Sequence, residues 1–124
     1  MPATAGRNGR LLEVKNLHVH FYTGSGVVKA VDGVSYGLKA GQTLGLVGES
    51  GSGKTVSSLV LLRLIPRPGK IISGAIRFQD ADLLTKSEDE MIAVRGKQIA
   101  MIFQNPAYSL NPIYSIGTQL GEIL

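Results

Sequence analysis

Eight consecutive residues, Gly48-Glu49-Ser50-Gly51-Ser52-Gly53-Lys54-Thr55, fit the pattern G-x-x-x-x-G-K-[ST] and carry the clearest chemistry in the chain. Glycines at 48, 51 and 53 let the backbone turn tightly around a guest, and the N–H groups of the loop and of the helical turn after it point at an anion. A polyphosphate suits that arrangement. Lys54 is placed to reach the β- and γ-phosphates as a mobile point charge, and the Thr55 hydroxyl to sit on a Mg²⁺ ion. The flanks agree with the motif. Thr43-Leu44-Gly45-Leu46-Val47 is a nearly unbroken apolar run, the pattern of a parallel strand buried on both faces. Val56, Leu59, Val60 and Leu62 to Leu64 then follow at helical spacing. A glycine-rich turn that binds nothing is the bland alternative, and it leaves the order strand, loop, helix unexplained.

Gln104 is the second candidate. Ile99-Ala100-Met101-Ile102-Phe103 is another almost wholly apolar run and reads as a second buried parallel strand. That places Gln104 at a strand's carboxyl end, the edge where open α/β sheets bind ligands. An uncharged amide there could ligate Mg²⁺ or orient a water. It could equally begin the Asn105-Pro106 turn, and spacing alone leaves both readings open.

Several elements must position these groups. Residues 1–10 are small, polar and glycine-bearing and read as a flexible tail. Leu12 and Val14, then Leu17, Val19 and Phe21, alternate with Glu13, Lys15, His18 and His20, the period of strands with one wet face. Both histidines fall on that wet face; a metal-binding His-x-His pair lacks a third ligand nearby. Gly24-Ser25-Gly26 is a turn, a second strand runs over 27–34 with a break at Asp32-Gly33, and Ser35 to Leu38 is a third short strand. Antiparallel strands over about 11–38 therefore precede the loop strand and helix at 43–65, where Pro66 forbids continuation. Ile71 to Phe78 reads as a strand with Gly74 as a bulge. Ser87 and Glu90 have capping-box spacing for a short helix to about Arg95, stopped by Gly96. After the second core strand at 99–103, residues 104–112 form a loop with two Asn-Pro steps, and Ile113, Ile116, Leu120 and Leu124 line one face of a helix over 113–124.

The composition is that of a folded domain: 124 residues, 44 % hydrophobic and 18 % charged. Cysteine is absent, which excludes disulfides and thiolate metal sites. The formal charge is +4, but the 13 basic residues are scattered from Arg7 to Lys97 without a run or aromatic interleaving, so a nucleic-acid partner is not expected. No apolar run approaches the roughly 18 residues of a membrane-crossing helix, and the first residues do not form a secretion signal.

Taken together, Gly48 to Thr55, Ile-Phe-Gln-Asn-Pro at 102–106 and Ser-Leu-Asn-Pro at 109–112 closely resemble the ATP-binding subunits of ABC transporters, in the branch that imports dipeptides and oligopeptides into bacteria. Leu-Leu-Glu-Val-Lys-Asn-Leu at 11–17, Val-Lys-Ala-Val-Asp-Gly-Val-Ser at 28–35 and Leu-Gly-Leu-Val-Gly-Glu-Ser at 44–50 look like the same branch. The resemblance implies an α/β P-loop NTPase fold of the ABC type, with an N-terminal antiparallel β subdomain beside an incomplete parallel core sheet. Residues 11–124 would be the N-terminal part of the nucleotide-binding domain, with 104–112 its Q-loop and 113–124 the start of its helical subdomain. It implies ATP and Mg²⁺ as cofactors. Gly48, Glu49, Ser50, Gly51, Ser52, Gly53, Lys54 and Thr55 would form the Walker A loop, Lys54 and Gln104 would serve hydrolysis, and Thr55 and Gln104 would bind the metal. Phe21, with Tyr22 as the alternative, would stack on adenine. Implied partners are a second ATP-binding subunit, identical or related, the permease subunits through the surface from Gln104 to Asn111, and indirectly a solute-binding protein. The implied location is peripheral, on the cytoplasmic face of the bacterial inner membrane. Peptide as solute comes from the resemblance, and nickel is the alternative in this branch.

The sequence departs from the family pattern in what it lacks. It contains no Leu-Ser-Gly-Gly-Gln signature, no apolar run ending in Asp-Glu after Gln104, no D-loop and no switch histidine. His18 and His20 precede the loop and cannot replace that histidine. Glu49, inside the loop, is expected to face outward and cannot orient the attacking water. The chain thus looks like the N-terminal portion of such an ATPase, truncated before the signature motif and expected to bind nucleotide weakly without useful hydrolysis. A small P-loop kinase would place its loop close to the N-terminus, against the strands at 11–38. A non-catalytic nucleotide-binding module would differ in its partners.

Overall fold

The computed structural model describes residues 6–123. The expected tail falls partly on residues 1–5, and the last apolar position of the expected terminal helix face is Leu124; both lie outside the described residues. Two 14-residue strands, β1 (Arg10–Thr23) and β2 (Gly26–Lys39), form an antiparallel hairpin across the Gly24-Ser25 turn. β3 (Gly69–Phe78) pairs with the other edge of β1, and the two-residue β4 (Ala81–Asp82) pairs with β3, giving the sheet order β2-β1-β3-β4. All of its pairings are antiparallel.

The apolar series along β1 changes phase between Val14 and Leu17, and the structure shows why. Asn16 adopts a positive φ of 45°, and the register slips there against both neighbouring strands. Its N–H donates to Ser35 Oγ at 2.8 Å instead of to a ladder carbonyl. Opposite the slip, Gly74 has φ 113°, and a Cβ there would lie 2.7 Å from Leu17 Cα. Only glycine fits that close approach. The bulge returns Leu17 and Val19 to the face already occupied by Leu12 and Val14. The expected break at Asp32-Gly33 is likewise absorbed within one strand, so 27–38 forms a single long strand where two short ones were read.

That face is the core. Leu12, Val14, Leu17 and Val19 of β1 and Val31 of β2 pack with Ile76 and Phe78 of β3, Leu83, Val60 of α1 (Lys54–Leu61), and Met91 and Val94 of α2 (Glu88–Val94). Burying each of the larger side chains contributes about 1.5–3 kcal/mol relative to exposure. The histidine face is less wet than the alternation suggests, because β1 is flanked on both sides. His18 lies between Asp32 of β2 and Ser73 of β3, and His20 Nε2 is buried without a hydrogen-bond partner.

The expected parallel core sheet is not formed. Residues 42–49 and 100–103 have no regular secondary structure; a single isolated parallel bridge, Arg95 to Ile99, marks the start of the second run. Val47 is 99 % exposed and Ile102 95 % exposed, the reverse of a strand buried on both faces. Apolar continuity is necessary for such a strand but does not supply the hydrogen-bonded neighbours and the covering helices that make it one. The architecture is therefore α/β with a four-stranded antiparallel sheet. Beyond it lie a 3₁₀ turn at Pro106–Ser109 and the short helix α3 (Ile116–Gly121).

Candidate functional site

The glycine loop is fixed at its end by β2. Gly53 is the N-cap residue of α1, with φ 89° and no side-chain cap. A Cβ at this position would overlap the Ala30 carbonyl oxygen of β2, so absence of a side chain is required both by the turn and by the strand behind it. Gly51 also has a positive φ, 80°. At Gly48 a Cβ would come within 2.5 Å of Ser52 Oγ. The first turn of α1 is closed by the Ser57 N–H donating to Gly53 O at 2.8 Å. Farther along the helix Val60 enters the core, anchoring the loop to the sheet.

Lys54 folds back into the loop it ends. Its ammonium donates to Gly48 O at 2.5 Å, Glu49 O at 2.6 Å and Ser52 Oγ at 3.2 Å. The side chain therefore lies across the concave side of the turn as a charge held by neutral oxygens. Thr55 is exposed, as are Glu49 and Ser50. A polyphosphate fits these residues: glycines leave the cradle free of side chains, the first turn of α1 presents N–H groups without intrahelical partners, and a cation stands among them.

Lys54 and Thr55 share one cavity of about 310 Å³ with Leu46, Ser58, Met101, Ile102, Phe103 and Gln104. Residues separated by some fifty positions are thus brought to one place without a shared sheet. No carboxylate lines this cavity. Among the described residues no cluster of three or more His, Asp or Glu side chains could hold a metal by itself, so a Mg²⁺ ion here would rely on Thr55, Gln104 and the phosphates of its ligand.

The two aromatic candidates differ. Phe21 is half-buried against the core, and Gly69 of β3 lies so close that a Cβ there would be 2.8 Å from Phe21 Cε1. Tyr22 points to the opposite face, 45 % exposed, with Lys70 Nζ 5.5 Å from its ring centroid. Neither lines the Lys54 cavity. The surface after Gln104 holds a second cavity, of about 500 Å³, lined by Phe103, Asn105, Tyr108 and Ser109. Gln119 of α3 pins this loop: its Nε2 donates to Asn111 O at 3.0 Å and Tyr114 O at 2.9 Å, and its Oε1 accepts from the Asn111 N–H at 2.8 Å.

A group of residues that no local sequence pattern marks joins the end of α1 to α2. Arg63, just past α1, donates to Lys86 O and approaches Glu88 at 3.9 Å. Arg95 donates through Nε to Leu62 O at 2.8 Å and pairs with Glu88 through a short hydrogen bond from its terminal nitrogen. That bond, with the two guanidinium charges, holds the Glu88 carboxyl below the usual carboxylate range. In the sequence these residues are only a helix start and a helix end, because pairing across 33 positions leaves no local signal.

A family profile described as "ABC transporter" matches residues 31–119, well over half of the chain. The chain is 52 % identical over 116 residues to the oligopeptide transport ATP-binding protein OppD of Bacillus subtilis (strain 168), covering 93 % of this chain and 32 % of the relative. It is 46 % identical to the probable peptide ABC transporter ATP-binding protein y4tR of Sinorhizobium fredii (90 % and 34 %) and 47 % identical to the dipeptide transport ATP-binding protein DppD of Haemophilus influenzae (92 % and 34 %). The chain thus spans about a third of the length of the curated relatives it matches. Among solved structures, a bacterial Atm1-family ABC exporter with ATP bound shares the fold, with TM-score 0.54 and 22 % identity, over 89 % of this chain and 19 % of that one. The protein belongs to the ABC transporter family.

Proposed function

We infer that the chain forms the phosphate-binding part of an ATPase subunit that powers import of dipeptides or oligopeptides into bacteria. The observation that carries this reading is the cavity shared by Lys54, Thr55 and Gln104, in a chain whose relatives are named as peptide-transport ATP-binding proteins. Gly48 to Thr55 cradle the phosphates with backbone N–H groups, and Lys54 exchanges the Gly48 and Glu49 carbonyls for phosphate oxygens. The Thr55 hydroxyl and the Gln104 amide, which line one cavity, would hold Mg²⁺. When bound, MgATP supplies the anhydride bond and the metal charge that offsets charge developing in phosphoryl transfer. Adenine stacks on an aromatic ring of β1, Phe21 or Tyr22. With no carboxylate in the cavity to orient water, the chain by itself binds nucleotide without useful turnover.

The proposed partners are a second ATP-binding subunit, permease subunits that seat on the surface from Gln104 to Asn111, and, through the permease, a solute-binding protein. The proposed place is peripheral, on the cytoplasmic face of the inner membrane; no helix among the described residues is long and apolar enough to cross it. Peptide as solute rests on the relatives' names.

Titration of the purified chain with a fluorescent ATP analogue tests the reading. Lys54→Ala should weaken binding at least tenfold while leaving the urea midpoint unchanged. Equal affinity in both proteins would remove the proposed site, and ATP turnover abolished by Lys54→Ala would overturn the claim that the chain does not hydrolyse. Co-purification with a peptide permease tests the partner assignment separately.

A further inference from the structure

The helix that carries Lys54 and Thr55 and the segment that carries Gln104 meet at the cavity without a β-ladder between them. Something else must fix their spacing. Leu62, the C-cap residue of α1, accepts the Arg95 Nε–H through its carbonyl at 2.8 Å. Arg95 lies at the root of the Gln104 segment. Directly beside it, the Val94 carbonyl accepts the N–H groups of Gln98 and Ile99 at 2.9 and 3.1 Å, and the Gly96 N–H donates back to Ile99 O at 2.9 Å. This tight turn makes Val94 to Ile99 one rigid corner, with Val94 buried in the core. The other end of the Arg95 guanidinium is held by Glu88, which is also 3.9 Å from Arg63 at the exit of α1. Arg63 in turn donates to the Lys86 carbonyl just before α2. Two arginines sharing one carboxylate therefore tie the far end of the loop helix to the corner from which the Gln104 segment departs.

We propose that Arg95, oriented by Glu88, is a positioning residue that sets the separation of Gln104 from Thr55 across the nucleotide cavity, which rests on the reading of that cavity as a MgATP site. A planar guanidinium suits the task, since its fork donates to a helix-end carbonyl and a carboxylate at fixed angles. Arg95 touches neither nucleotide nor metal. Its removal should act on the step that needs both walls of the cavity, metal-assisted binding, and spare metal-free binding, which the glycine loop and Lys54 support alone.

The test uses the full 124-residue chain, which has no cysteine, so that two introduced thiols label uniquely. Spin labels at Ser58→Cys on α1 and Asn105→Cys beyond Gln104 report the separation without any nucleotide. The expected result is a distance distribution at least twofold wider in Arg95→Ala, with Arg95→Lys recovering part of the narrow form. Val14→Ala, which weakens the core on β1 away from Arg63, Glu88 and Arg95, should leave the width unchanged and so separates positioning from general loss of stability. If Arg95→Ala does not fold, Glu88→Gln takes its place, with an expected widening of about half as much. In parallel, the enhancement of ATP-analogue affinity by Mg²⁺ should fall at least fivefold in the variant, with metal-free affinity within twofold of the parent. An unchanged distance distribution, or an unchanged Mg²⁺ enhancement, overturns the proposal. If the parent binds no nucleotide, the MgATP reading fails on its own, and the label distances still decide whether Arg95 sets the spacing.

Discussion

The two longer helices begin in opposite ways. α2 closes its own N-terminus: Ser87 Oγ accepts the Glu90 N–H at 3.2 Å, the Glu90 carboxylate accepts the Ser87 N–H at 2.7 Å, and Glu88, Asp89 and Glu90 supply negative charge to the first turn. α1 has none of this. Its N-cap is a left-handed glycine, no acidic residue lies in its first turn, and its first residue is a lysine. The same chain thus satisfies one helix end internally and leaves the other without a side-chain cap beside a cation, an arrangement that suits an anion from outside. The difference separates a helix start that closes itself from one that does not.

That contrast can be broken from either side. The largest effect is expected from an attempt to close α1 as α2 is closed. Gly53→Asp would add a potential cap, but the φ of 89° and the Ala30 carbonyl leave no room for its Cβ. A loss of about 2–3 kcal/mol in stability is expected from the strained backbone alone, with loss of ATP-analogue binding, measured by urea denaturation and titration. A stable variant that still binds would show that the open end is incidental. Opening α2 with Ser87→Ala should cost about 1 kcal/mol and leave nucleotide affinity within twofold.

The smallest effect is a pH dependence confined to α2. The Glu90 carboxyl is held below its usual range by hydrogen bonds from Ser87, then by the Lys86 charge, and that of Glu88 by Arg95 and then Arg63. Both carboxyls bind protons more weakly in the folded chain. Their contribution is therefore present above the unfolded value, about 4.3, and is lost as pH falls through the lower folded values. Urea midpoints of the parent and of Glu88→Gln/Glu90→Gln should differ at pH 6 and converge on acidification below pH 4 or so. A constant difference would show that the two carboxylates contribute through shape alone.

Much of the architecture was legible where the signal is local. The capping box at Ser87 and Glu90, the Gly96 stop with φ 78°, the Gly74 bulge and the β1–β2 hairpin all follow from residue types at short spacing. The glycine loop was legible for the same reason. The parallel sheet was misread because 43–47 and 99–103 are apolar enough for buried strands, yet a strand exists only with neighbours, and these runs have none beyond the isolated Arg95–Ile99 bridge. The alternation that put His20 on a wet face failed in a related way. Period-two patterning gives the face a side chain takes, whereas the neighbouring strands decide how much water reaches it.

The sequence by itself determined the glycine loop and the lysine that ends it. Glycines at 48, 51 and 53 followed by Lys54 and Thr55 specify a backbone path and a charge that need no distant residue to be recognised. Tertiary structure alone decided what surrounds them. It set Ala30 of β2 behind Gly53, brought Gln104 to the same cavity as Thr55, and joined Leu62, Glu88 and Arg95. Each of these contacts links residues more than twenty positions apart, or depends on one that does, and their closeness follows from how the core packs rather than from any pattern along the chain.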